Sequence, residues 1–187
     1  MGELNDALHY ALRAGDRFDV NEGSDYAQTL IATAIDEYVA KRQSLDMDVT
    51  LGDASKDGID SKLVDVVERM FESCLSDGEH FQAIGIALES KRLDKLEEAI
   101  TRSNTVAECL SYSMKVCASL VSVREFRQHV LRLLARMYSS LREPNFLSMC
   151  QCLMLLEDAH GIAEVLNKLV AGDEAEKLLA YQIAFAL

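Results

Sequence analysis

Three groups of residues have types and spacings that could do chemistry. The run Asp53-Ala54-Ser55-Lys56-Asp57-Gly58-Ile59-Asp60 puts oxygen ligands at positions 1, 3 and 5 and glycine at 6, like the first half of a calcium loop. The match then stops. Position 8 is Asp60, where an apolar residue is usual, and position 12 is Val64, where a carboxylate must bind through both oxygens. The second group is Cys150-x-Cys152 with His160 downstream. On a helix, residues two apart point about 200° apart, so the two thiols do not share an ion easily. A tetrahedral zinc site needs two further ligands, and none stands nearby. Cys74, Cys109 and Cys117 fall on apolar stripes, and all five cysteines read as small buried hydrophobes. His9, His80, His129 and His160 are scattered, with no local spacing that suggests a nucleophile–base pair. There is no glycine-rich phosphate loop. No catalytic residue, metal site, cofactor or small-molecule ligand is therefore assigned, and the chain does not read as an enzyme.

The third group is basic. Arg124, Arg127, Arg132, Arg136 and Arg142 fall roughly opposite Phe126, Val130, Leu133 and Met137 at about 100° per residue. In a chain of net charge −12, such a face could dock an acidic partner or the chain's own acidic loop. The plainer alternative is a solvated face, because exposed charges contribute little to stability.

Composition bounds the rest. The 187 residues are 49% hydrophobic, enough for a sizeable core. With 9 Gly and 1 Pro there is little of the turn chemistry that many short strands need, and the abundance of Leu, Ala, Glu, Lys and Arg favours helix. Trp is absent, so a stacking platform for bases is not expected. The net charge argues against nucleic-acid and anionic-membrane surfaces. Five cysteines is an odd number, and no apolar run is long enough to span a bilayer. Reduced thiols in the cytoplasm and nucleus are the expectation.

The helices that carry these residues follow from periodicity. The segment His80–Ile100 reads as two short helices folded back on one another, with Phe81, Ile84 and Leu88 on one face and Leu93, Leu96 and Ile100 on the next. Ala83, Gly85 and Ala87 thin the first helix. They predict a close-packing seam between hairpins, which Gly85→Leu should disrupt. Neither helix buries its apolar face alone, so neighbours are required. Before this hairpin, Glu3–Ala14 forms a helix with Leu4, Leu8, Ala11 and Leu12 on one face, ended by Gly15. Phe18 and Val20 are expected to tuck back onto the helices. Ser24 or Asp25 caps a helix running to about Arg42, with Tyr26, Leu30, Ala34 and Tyr38 inward. Residues 44–60 form an acidic flexible loop, and Asp77-Gly78 ends a helix that starts near Leu63. After the hairpin, Thr105 with Glu108, Ser122 with Glu125 and Asp173 with Glu176 have capping-box spacing. Pro144 suits a first-turn position and Asp158 an N-cap. From Lys62 on, eight helices fall into four pairs. Residues 1–187 thus predict one all-α segment, a right-handed α-solenoid of antiparallel helical hairpins with about ten helices. The terminal YQIAFAL shows no capping signal and suggests an array that continues.

These residues also carry a resemblance. ALRAGDRFDVNEGSDYAQTLIATAIDEY, DGEHFQAIGIALESKRLDKLEEAI, VLRLLARMY, CQCLMLLEDAHGIAEVLNKLV and LLAYQIAFAL resemble, in order, the N-terminal helical region of one subunit family. It is the family of the largest non-ATPase subunit of the 26S proteasome regulatory particle. The resemblance implies a non-catalytic scaffold, in which a rod of helical hairpins packs against neighbouring base and lid subunits in ubiquitin-dependent protein degradation. The family's repeat ring and C-terminal ubiquitin-receptor docking region have no counterpart in these residues. The alternative is a stand-alone, tetratricopeptide-like peptide-binding adaptor, but the recurring Trp/Gly/Tyr/Pro pattern of that class is missing.

Overall fold

The computed structural model describes residues 2–15, 20, 22, 24–44 and 58–187, with only the backbone of 2–5. Phe18 and most of the acidic loop lie outside these residues, as does the side chain of Leu4. Ten α-helices are present among the described residues: α1 Gly2–Ala14, α2 Asp25–Ser44, α3 Ser61–Ser76, α4 His80–Glu89, α5 Leu93–Thr101, α6 Val106–Leu120, α7 Arg124–Ser140, α8 Phe146–Leu155, α9 Ala159–Val170 and α10 Glu174–Ala186. The described residues contain no strand, so the fold is all-α. The chain divides into two compact units, Met1–Cys109 and Leu110–Leu187.

In the first unit, α1 packs on α2 and α3, α2 on α3, α3 on α4, and α4 on α5. The buried stripes keep the helical period: Leu8 and Leu12 on α1, Leu63, Val66, Met70 and Phe71 on α3, Leu96 and Ile100 on α5. On α2 the stripe is Ala27, Leu30, Ala34 and Tyr38. Tyr26, expected inside, is 63% exposed. It stands in the first turn, where Ser24 caps the helix by accepting from Ala27 N at 3.2 Å, and Ala27 takes the inward place instead. In the second unit, α7 packs on α8, α8 on α9 and α10, and α9 on α10. Its core holds Phe126, Val130, Leu131, Leu134 and Tyr138 from α7, Cys150 and Cys152 from α8, and Leu169 and Ile183 from the last two helices.

The α4–α5 hairpin corrects part of the expected seam. Ala83, Ile84, Ala87, Leu88 and Leu96 are buried, and Leu93 is half-buried. Phe81, however, is 43% exposed, and a Cβ at Gly85 would meet nothing within 4 Å. Both results have one cause. Because α4 is packed by α3 and by α5, its buried arc extends through Ile86, while Phe81 and Gly85, one turn apart, share the outward side. Gly85 is therefore not a close-packing position.

Three helix ends use one turn. The N–H of Glu79 bonds to Cys74 O at 2.8 Å, Arg92 to Ala87 O at 2.8 Å, and Asp158 to Leu153 O at 2.9 Å. Each closes a six-residue loop whose fifth residue is left-handed: Gly78 at φ 80°, Lys91 at φ 54° and Glu157 at φ 59°. Two caps match their spacing. Asp158 accepts from Gly161 N at 2.9 Å, and Asp173 and Glu176 form a reciprocal box. Two differ. The N-cap of α7 is Val123, without a side-chain bond, so Ser122 and Glu125 form no box. The N-cap of α8 is Asn145, whose Oδ1 accepts from Ser148 N at 3.0 Å, which leaves Pro144 one residue outside the helix.

Candidate interaction surfaces

A charge cluster centred on the buried Arg92 positions the first unit. Arg92 is only 4% exposed. Its Nη1 lies 2.7 Å from Glu68 Oε1 and donates to the Tyr38 hydroxyl at 2.9 Å. Its Nε and Nη2 grip both oxygens of Asp94, at 2.8 and 2.5 Å. Lys95 sits 2.8 Å from Glu68 and 3.0 Å from Glu98, with its ammonium 5.8 Å from the Phe71 ring centre. Arg102 extends the cluster to Glu72 at 2.8 Å and Glu98 at 3.1 Å. Burial opposes the charge on Arg92, but the bonds to Asp94 and Tyr38 outweigh it and hold the guanidinium above its ordinary pKa. Burial likewise opposes the Asp94 carboxylate, and the same bonds hold it below its usual range. From α2, Arg42 is 3% exposed and donates to Ser90 O at 3.1 Å and Lys91 O at 3.3 Å. The α4–α5 turn is thus clamped to α2 and α3 by arginines whose donors are aimed at carbonyls and carboxylates. This is positioning chemistry: every functional group in it is bonded within the protein.

Sequence reasoning missed both arginines. Arg42 had a signal, since it continues the stripe Leu30, Ala34, Tyr38 by one more turn. Arg92 had less: only its place beside a tight turn, two residues before Asp94.

The α7 arginines divide. Arg124, Arg132 and Arg136 are exposed, as is Arg142 beyond the helix end. Arg127 does not join them. It lies three, four and seven residues before the buried Val130, Leu131 and Leu134, so it shares their face. It is half-buried and donates to Val121 O at 3.3 Å. Arg124 comes within 3.9 Å of Glu157, with both side chains largely in water.

All five cysteines are buried, and none of them is in a disulfide. Burial pushes the Cys117 thiol up to about 11 and the Cys152 thiol up to about 12, the reverse of an activated nucleophile. Cys152 Sγ rests 3.9 Å from Met114 Sδ. His160, by contrast, is exposed and lies 3.2 Å from Glu164. Asp60, the last residue of the calcium-like run, caps α3 by accepting from Lys62 N at 3.0 Å, while Asp53, Ser55 and Asp57 lie outside the described residues. Among the described residues no three His, Cys, Asp or Glu side chains could hold a metal ion, and no helix is long and apolar enough to cross a membrane.

The open surface of the first unit carries two concavities of about 510 Å³ each. One lies along α1 and α2, lined by Leu8, His9, Leu12, Asp36, Glu37 and Lys41 among others. The other lies between α2 and the α3–α4 corner.

A helical array with a clamped interior, inert thiols and open grooves has the parts of an interaction surface. The family profile described as "26S proteasome subunit RPN2, N-terminal domain" matches residues 1–187. The chain belongs to that family. It is 50% identical to "26S proteasome non-ATPase regulatory subunit 1 homolog A" and 48% identical to "homolog B", both of Arabidopsis thaliana. It is 43% identical to "26S proteasome non-ATPase regulatory subunit 1" of Drosophila melanogaster. Each likeness covers 100% of this chain and 18% of the relative, so the chain spans about a fifth of the length of these family members. The family match places the clamp, the α7 arginines and both grooves inside an N-terminal domain of proteins named as regulatory subunits.

Proposed function

We propose that this chain is a non-catalytic scaffold segment of the 26S proteasome regulatory particle. It supports assembly and ubiquitin-dependent protein degradation through contacts with other regulatory-particle subunits of base and lid, in cytoplasm and nucleus. The single observation that carries this reading is the family match along all of residues 1–187. The relatives' names, which call them regulatory subunits of the 26S proteasome, support it. Within this reading, residues 1–187 act as one helical segment, and Arg124, Arg132 and Arg136 on the exposed side of α7 receive an acidic surface of a neighbouring subunit. Tagged protein captured from cell extract should bring down other regulatory-particle subunits, in both the cytoplasmic and the nuclear fraction. Recovery of the tagged protein alone, or only with unrelated complexes, would sink the reading.

A further inference from the structure

We propose that the groove between α2 and the α3–α4 corner docks a short partner segment that presents an apolar side chain flanked by lysine or arginine. The groove holds about 510 Å³, room for one or two large side chains. Its floor is apolar. Ile31 and Ile35 stand one helical turn apart on α2, both half-buried, and face Met70 on α3. Met70 Sδ lies 3.6 Å from Cys74 Sγ, so two soft, polarizable sulfur atoms lie at the α3 side of the groove and can adapt to an inserted side chain. The rim is acidic. Glu22, Asp77 and Glu79 line the groove, and no lysine or arginine is among its lining residues. Ser73 Oγ donates to Asp77 Oδ2 at 3.1 Å and holds that carboxylate at the edge. A concave site with charges of one sign focuses their field inward. The field reaches the floor: burial, then the Asp77 and Glu79 charges, push the Cys74 thiol up.

Charge selects the occupant. A second copy of a chain of net charge −12 carries the wrong sign. So does the chain's own stretch 45–57, with Asp46, Asp48, Asp53 and Asp57 against Lys56. A segment with an apolar anchor and flanking cations satisfies both floor and rim. The inference does not depend on the proteasome assignment, because the test uses the purified chain alone and not capture from extract.

The probe is the fluorescein-labelled peptide KLLKKLLKKLLK, read by anisotropy at about 0.15 M salt. The expectation is saturable binding, weakened at least about tenfold by the rim reversal Asp77→Lys/Glu79→Lys and by Ile35→Gln on the floor. The charge-matched reversal Glu97→Lys/Glu143→Lys, at residues that do not line the groove, should leave affinity within about twofold. Circular dichroism melts select variants that keep the fold. Equal weakening by the two reversals would reduce the binding to general attraction and overturn the proposal. Equal affinity for KSSKKSSKKSSK would remove the apolar anchor and overturn it too. So would no binding at about 1 mM peptide, or a dimer in sedimentation that Asp77→Lys/Glu79→Lys dissolves.

Discussion

Arg92 Nη1 donates to the Tyr38 hydroxyl at 2.9 Å, joining two buried residues 54 positions apart in the chain. Both side chains are nearly inaccessible, and the same guanidinium holds Glu68 and Asp94. Arg92→Ala leaves two carboxylates that water reaches only in part, so a loss of about 2–3 kcal/mol is expected. Arg92→Lys should recover less than half of it, because an ammonium cannot grip Asp94 through two parallel bonds. Tyr38→Phe should cost about 1 kcal/mol. Urea denaturation measures all three. A cost below about 0.5 kcal/mol for Arg92→Ala would contradict the clamp.

Lys91 and Glu157 occupy the backbone conformation that Gly78 occupies in the third such turn. A side chain there crowds the following carbonyl, and glycine avoids that crowding. Lys91→Gly and Glu157→Gly should each stabilise by about 0.5–1 kcal/mol, and Gly78→Ala should destabilise by about 1 kcal/mol. The Arg124–Glu157 contact at 3.9 Å is solvated and does not alter the sign. Shifted denaturation midpoints with unchanged slopes report the effect, and a loss in both glycine variants would refute it.

Gly85→Ala should stabilise the protein by about 0.5–1 kcal/mol. The new methyl group meets open space, and alanine favours helix. Gly161→Ala gives the opposite sign. Its Cβ would fall 2.8 Å from Asp158 Oδ2 and 3.3 Å from Leu153 Cδ2, displacing the carboxylate that caps α9, at a cost of about 1 kcal/mol. Thermal melts of the pair distinguish an open glycine from a crowded one.

Acid should weaken the first unit through Asp94. Burial raises its pKa, but the Arg92 bonds bring it below the ordinary aspartate value, about 3.9. A depressed folded-state pKa contributes stability in full above about pH 4, and the contribution is lost as pH falls through the folded value. Glu72, held down chiefly by its bond from Arg102, acts in the same direction but at an exposed position that salt screens. In Asp94→Asn the acid limb of the stability–pH profile should flatten. An unchanged limb would remove Asp94 from the account.

Iodoacetamide should leave Cys117 and Cys152 unmodified in the folded protein at about pH 8. With a pKa pushed up to about 12, only about one Cys152 in ten thousand is thiolate at that pH, and the sulfur is enclosed as well. Labelling, read by peptide mass spectrometry, should follow the unfolding rate. Fast labelling of either residue in native buffer would contradict the inert reading.

The helices were legible because local physics forms them. Apolar residues at helical spacing, Gly15 and Gly78 just past helix ends, and Asp158 and Asp173 at helix starts all act within a few residues of themselves. The family signature was legible too, since it lies in residue order alone. What periodicity could not decide was which neighbour covers which side. α4 carries apolar residues around much of its surface, and only packing by both α3 and α5 turned Ile86 inward and Phe81 with Gly85 outward. Arg127 follows the same logic: its helical position was known, but the inward sector of α7 is wider than the stripe drawn from sequence. The buried arginines needed tertiary structure most. Arg42 and Arg92 find their partners only when residues about 50 positions apart converge, because a buried charge is stable only where distant acceptors are brought to it. The groove between α2 and the α3–α4 corner has the same origin, since its floor and rim come from helices whose contact no local spacing encodes.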